Sequence, residues 1–119
     1  MEKFAKYLAA IDGTAQWSKV KPLFDDLVHD DCVFVTADGE MNKDQWAKMI
    51  QGLVEKGATA SGFEVTGEEG DAFYYTFTLA VGESEPLHPT AKGTVKDGRI
   101  IRVEPVDQAV YSTMVERSR

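Results

Sequence analysis

Apolar positions repeat at helical spacing through the first half of the chain and alternate through the second. Phe4, Tyr7, Leu8 and Ile11 fall at i, i+3, i+4 and i+7, which predicts a helix with one buried stripe, ended by Gly13 in the left-handed conformation. Trp17, Val20, Leu23, Phe24, Leu27 and Val28 continue the period as a second helix. Pro22, lacking an amide donor, either kinks that helix or marks its first turn. The run "CVFVT" predicts a short strand, and "ADGE" a turn after it. In "NKDQWAKMIQGLVEKG", Asn42 can cap a third helix while Gln45 reaches back to it. Trp46, Met49, Ile50, Leu53 and Val54 form its buried stripe, and Gly57 stops it.

From residue 60 onward the period is two. "SGFEVTG" leads through the turn "EEGD" into "AFYYTFTLAVG", where Phe73, Tyr75, Phe77, Leu79 and Val81 share one face and Tyr74, Thr76, Thr78 and Ala80 the other. Bulk on both faces predicts a sheet packed on helices on one side and not fully wet on the other. "LHPTAKGTVK" follows as a strand, and "AKGTVKDGRIIRVEPVD" closes the sheet through Asp97-Gly98, a type I′ turn in which both central residues need positive φ.

Composition narrows the function more than it names it. With 119 residues the chain has room for one core, so a single domain over 1–119 is expected. A formal net charge of −7 argues against nucleic acid as a partner, because that affinity rests on Lys and Arg neutralising phosphates. The single cysteine, Cys32, cannot form an internal disulfide and lies in an apolar run, so a buried, inert thiol and a cytoplasmic location are expected. Glu2, Lys3 and Lys6 place charge where a signal peptide needs apolar residues. No apolar run approaches the roughly 20 residues that span a bilayer, so no membrane partner is expected. Two distant histidines and one cysteine give no metal-ligand spacing, and no Gly-rich loop precedes a helix, so neither metal nor cofactor is expected.

The order of elements carries a resemblance. "KYLAAID" in the first helix, "PLFDDLVHDDCVF" from the second helix into the first strand, "DGEMNKDQW" into the third helix and the terminal "GTVKDGRIIRVEPVD" together resemble the nuclear-transport-factor-2-like superfamily. That superfamily includes ketosteroid isomerases and SnoaL-like polyketide cyclases. The resemblance covers residues 4–108, with 109–119 as a C-terminal tail. It implies an α+β cone, three N-terminal helices packed on a curved, mostly antiparallel sheet, enclosing a pocket with its mouth near the first helix. It also implies a homodimer through the outer sheet face.

Candidate site residues follow from that resemblance. Tyr7 matches the helix-one tyrosine that donates to a developing oxyanion in ketosteroid isomerases, although an amphipathic core role with its hydroxyl at the surface is the simpler explanation. Where those enzymes carry a general-base aspartate this chain has Thr36, and where they carry a second acid it has Ala91. Steroid-isomerase chemistry is therefore disfavoured. Asp38 would share the face of Thr36 as a displaced base, or serve as a turn carboxylate beside Gly39. His88, as a histidine, is the remaining acid or base candidate. His29 is expected at the end of the second helix, beside Asp30 and Asp31. Glu104 and Asp107 end the last strand with opposite parity, so at most one faces inward. Ligand contacts are expected from Trp17, Thr36, Tyr75 and Asp107.

Three functions fit these residues. One is a cofactor-independent lyase, isomerase or cyclase acting on a small apolar carbonyl compound, with Tyr7 as donor and His88 or Asp38 moving the proton. The second is a protein that binds a small apolar ligand without chemistry. The third is a dimerising or adaptor module. A cavity plugged by aromatic rings would sink the first two.

Overall fold

A computed structural model describes residues 2–119. The chain runs α1 (Glu2–Ala9), α2 (Trp17–Leu27), β1 (Val28–Thr36), β2 (Gly39–Met41), α3 (Lys43–Glu55), β3 (Thr59–Glu69), β4 (Ala72–Ala80), β5 (Thr90–Lys96), β6 (Arg99–Pro105) and α4 (Gln108–Arg117). One six-stranded sheet forms in the order β2-β1-β6-β5-β4-β3. β3 to β6 make the antiparallel meander that the alternation predicts, and β1 joins β6 in parallel. The expected α+β cone is therefore present, with mixed pairing at one end.

The helical stripes are the core. Phe4, Tyr7 and Leu8 from α1, Ile11 just beyond its end, Val20, Phe24 and Leu27 from α2, and all five predicted residues of α3 are buried against Phe34, Tyr75, Phe77 and Val103 of the sheet. Burying each large side chain contributes about 1.5–3 kcal/mol, so this one face dominates the stability of the fold. Asn42 and Gln45 form the predicted capping box, each side chain accepting the other's backbone N–H at 2.9 Å. Asp97 and Gly98 take φ of 54° and 78°, the positive values a type I′ turn requires. On the inner face of β5, Gly93 leaves space for Phe73, since a Cβ there would come within 3.0 Å of its ring.

Four expectations need correction. Helix α2 continues through Pro22 but stops at Leu27, and Val28 takes extended backbone angles, so β1 starts four residues before "CVFVT". His29 accordingly lies in the strand, not at a helix end, and its Nδ1 accepts from the Asp31 amide at 3.0 Å. The "ADGE" turn opens a short strand, β2, whose Met41 pairs with Phe34. Strand β5 begins at Thr90, and Leu87 makes only an isolated bridge to Leu79. The largest correction is at the C-terminus. Residues 108–117 form a fourth helix, where a tail was expected, because Asp107 caps it by accepting from the Ala109 amide at 3.0 Å and Tyr111 and Met114 reach the core.

Helix α4 is held at its far end by α3. A Cβ on Gly52 would overlap the Ser118 carbonyl, so only glycine allows this approach. Lys56 donates to the backbone carbonyls of Arg117 and Arg119, and Arg117 donates to the Glu85 carbonyl at 2.7 Å.

Candidate functional site

Inside the cone, α1, β1, α3, β4 and α4 surround a cavity of about 30 Å³ with almost wholly apolar walls. That volume holds a water molecule or two and no larger compound. The open pocket implied by the resemblance is filled instead, because α4 inserts Tyr111 and Met114 where the cone would be empty. Rings close around the space, Phe4 to Tyr75 at 4.5 Å, Phe34 to Trp46 at 5.0 Å and Phe34 to Tyr111 at 5.5 Å between centroids.

Three phenols meet at this cavity: Tyr7 from α1, Tyr75 from β4 and Tyr111 from α4. The hydroxyls of Tyr7 and Tyr111 are buried and lack a hydrogen-bond partner among the described residues. The hydroxyls of Tyr75 and Tyr111 approach one another closely enough that each bears on the other's ionisation. Burial, which penalises the phenolate, pushes all three well above the ordinary tyrosine value. Cys32, also buried, is pushed up to about 11 by desolvation, which agrees with an inert thiol. The cavity can therefore offer neutral O–H donors to a ligand oxygen. No charged side chain among the described residues is buried, so the interior holds no base for abstracting a proton from carbon.

A second, open cleft of about 340 Å³ lies on the other side of Tyr111, between the β1–β2 turn and α4. Its walls include Thr36, Asp38, Glu40, Gln45, Ser112, Glu116 and Arg119, and it shares Phe34 and Tyr111 with the cavity. Thr36 donates its hydroxyl to the Gly39 carbonyl at 2.6 Å, fixing the turn that presents Asp38 to solvent.

The candidate residues thus separate into groups. Tyr7 and Tyr75 meet at the cavity, and Thr36 and Asp38 meet at the cleft. His88 is exposed on the opposite, outer side of the sheet, with Nδ1 3.2 Å from the Thr78 hydroxyl, so Tyr7, Asp38 and His88 do not form one catalytic group. Trp17 packs on Phe24 with centroids 6.1 Å apart and does not line the cavity. Asp107 is exposed and serves as the α4 cap, and Glu104 pairs with Arg102 at 3.2 Å on the outer face. Tyr111 was missed by the sequence reading, although Asp107 followed by Tyr111, Met114 and Val115 has the cap and spacing of an amphipathic helix.

The outer face is more polar than the alternation suggests. Its one aromatic row on β4 reduces to Tyr74, with Lys92 Nζ 5.9 Å from the ring, beside the Thr76–Thr90 hydroxyl pair at 3.2 Å. No helix among the described residues is long and apolar enough to cross a membrane.

No protein-family model matches the sequence, and no curated protein does. Solved structures do match. A proposed SnoaL-like polyketide cyclase from Jannaschia sp. CCS1 superposes with a TM-score of 0.70 at 13% identity, over 96% of this chain and 89% of that one. A proposed polyketide cyclase from Pseudomonas putida KT2440 gives 0.66 at 18%, over 95% of each chain. A de novo designed protein with a curved β-sheet gives 0.65 at 10%, over 98% of this chain and 91% of that one. A designed scaffold among the matches illustrates why architecture alone carries no activity. What these likenesses establish is architecture: the chain has the SnoaL-like, cystatin-like cone fold of the nuclear-transport-factor-2-like proteins.

Proposed function

We propose that the protein takes up a small apolar compound bearing a hydrogen-bond-accepting oxygen, such as a ketone or lactone, at the cavity between Tyr7, Tyr75 and Tyr111. One observation carries this reading: buried hydroxyls without partners collect at a single apolar cavity. An unsatisfied buried donor costs about 1–3 kcal/mol, and native interiors seldom keep two in one place without use. A ligand oxygen accepting from these phenols would recover that cost. As it stands the cavity is plugged by rings and too small for such a compound, which meets the condition set against ligand binding, so this reading stands or falls on α4 yielding at Tyr111. Binding is favoured over catalysis because the interior holds donors and no base.

A lyase, isomerase or cyclase reaction is the second reading, and its support is the shared wall. Phenol donors stabilise a developing enolate oxygen, while Asp38 stands in the cleft directly beyond Phe34 and Tyr111. It would act as base only with Tyr111 displaced. A homodimer through the outer sheet face belongs to the same proposal. It is supported by the outer surface of the sheet that no helix covers, where Arg102 and Glu104 of β6 and Glu40 of β2 already pair with one another. A cytoplasmic setting rests on the unpaired Cys32.

The test is a thermal-shift panel of small ketones, lactones and phenols, repeated on Tyr7→Phe. Stabilisation of the wild-type chain that weakens in the variant is expected. A panel in which no compound shifts the melting temperature would remove the binding reading.

A further inference from the structure

Helix α4 is the most weakly buried of the four helices. Only Tyr111 and Met114 of its 10 residues are buried, a smaller share than in α1, α2 or α3, where 5 of 13 are. It also carries two of the three buried side-chain polar atoms that lack a hydrogen-bond partner among the described residues, Gln108 Oε1 and the Tyr111 hydroxyl. The third, the Tyr7 hydroxyl, belongs to the cavity that Tyr111 helps to close. The connection leading into α4 is bare, since Val106 is 64% exposed. Only the far end is tied, by Lys56 to the Arg117 and Arg119 carbonyls and by Arg117 to the Glu85 carbonyl.

We infer that α4 is a plug that undocks alone, while the sheet and the first three helices stay folded, and that its release opens the cavity to water at Tyr111. Undocking gives up two buried side chains. In return it lets water reach the unpartnered polar atoms, each of which is worth about tenfold in the opening equilibrium. A ten-residue helix has little stability of its own in water, so the released segment unwinds and its amides exchange. The ties at Lys56 and Glu85 keep that segment close to its seat, which makes reclosing a local event. The proposed uptake of a compound depends on this plug, whereas the plug operates with no compound present.

The test is native-state amide exchange, followed by NMR on the whole chain at neutral pH in zero to low urea. The amides of Ser112 to Val115 bond back to residues 108–111 and report on α4. They are expected to exchange as one group, at least about 100-fold faster than those of Ile50 and Leu53 in α3 once intrinsic rates are removed, because α3 has three more large side chains buried. Their rates should hardly respond to urea, since the opening exposes little surface. Tyr111→Phe should slow the group about tenfold, and Gln108→Met by a similar factor. Tyr74→Phe, which alters the one tyrosine that does not line the cavity, should leave the rates unchanged.

Exchange of residues 112–115 only in step with Ile50 and Leu53, at the same urea slope, would overturn the plug and make α4 part of the common core. Rates that fall away residue by residue from one end would mean fraying and overturn it too. If neither Tyr111→Phe nor Gln108→Met slows the group, the unpartnered atoms do not loosen the helix and the inference is refuted. A group that opens as expected, beside a compound panel that shifts no melting temperature, upholds the plug and removes the uptake reading alone.

Discussion

Raising the pH should unfold this protein abruptly, and the three buried tyrosines set where. Burial keeps Tyr7, Tyr75 and Tyr111 neutral well past the ordinary tyrosine value near 10, while in the unfolded chain the same groups ionise there. The folded state then holds protons that the unfolded state releases, so this contribution is intact below about pH 9 and is lost as pH rises beyond about 10. Each phenol removes about 1.4 kcal/mol per pH unit in that range, so three remove about 4 kcal/mol by pH 11. Cys32, pushed up to about 11 by desolvation, adds a smaller loss that begins near the ordinary thiol value. Domains of this size hold roughly 5–15 kcal/mol in all. Urea unfolding followed by far-ultraviolet circular dichroism should therefore show the midpoint falling by half or more between pH 8 and pH 11, with the denaturant slope unchanged. In the Tyr7→Phe variant the decline above pH 10 should be about one third shallower. Absorbance at 295 nm showing all four tyrosines ionising together near pH 10, with the circular dichroism intact, would refute the burial argument.

Other substitutions test single contacts. Tyr111→Phe should raise stability at pH 7 by about 1 kcal/mol, because it deletes an unpartnered hydroxyl; a lower melting temperature would mean that the hydroxyl has a partner. Gly52→Ala gains up to about 1 kcal/mol of helix propensity but forces Ser118 away at a cost of about 1–3 kcal/mol. Net destabilisation is expected, with faster amide exchange across 108–118. Asn42→Ala removes the α3 cap and should cost about 1 kcal/mol in a thermal melt. Sedimentation at micromolar concentration should give a dimer, and a monomer would discard the outer-face pairing.

The legibility of this chain follows the range of the forces involved. Helix stripes, the Asn42–Gln45 box and the Asp97-Gly98 turn depend on neighbours within a few residues; the box and the turn stand where their patterns put them, while α1 stops at Ala9, short of Gly13. The early start of β1 was hidden because Val28 fits the helical stripe equally well, and its pairing with Ile100 decides against that stripe. The short β2 forms only because Phe34 and Val35 offer it partners. Site geometry was the least legible part. Tyr7 and Tyr75 were found as individual residues, but their meeting with Tyr111 depends on α4, which fell beyond the residues the resemblance covered. His88 stayed a candidate because a strand's period gives two faces without saying which one the helices cover, and the structure puts it beside Thr78 on the outer one.

The parallel pairing of β1 with β6 has a consequence during synthesis. Phe34 finds its partner in Val103, so the sheet cannot be completed while the chain between them is still emerging from the ribosome. Until then α1, α2 and α3 present their apolar stripes with no finished wall to cover them. The β3–β6 meander can form locally, whereas closure across β1 waits for a long loop to be ordered, which places folding among the slower, millisecond-to-second class. A nascent chain stalled at Lys96 would leave the edge of β1 open to other strands or to a chaperone, and extension past Pro105 would close it.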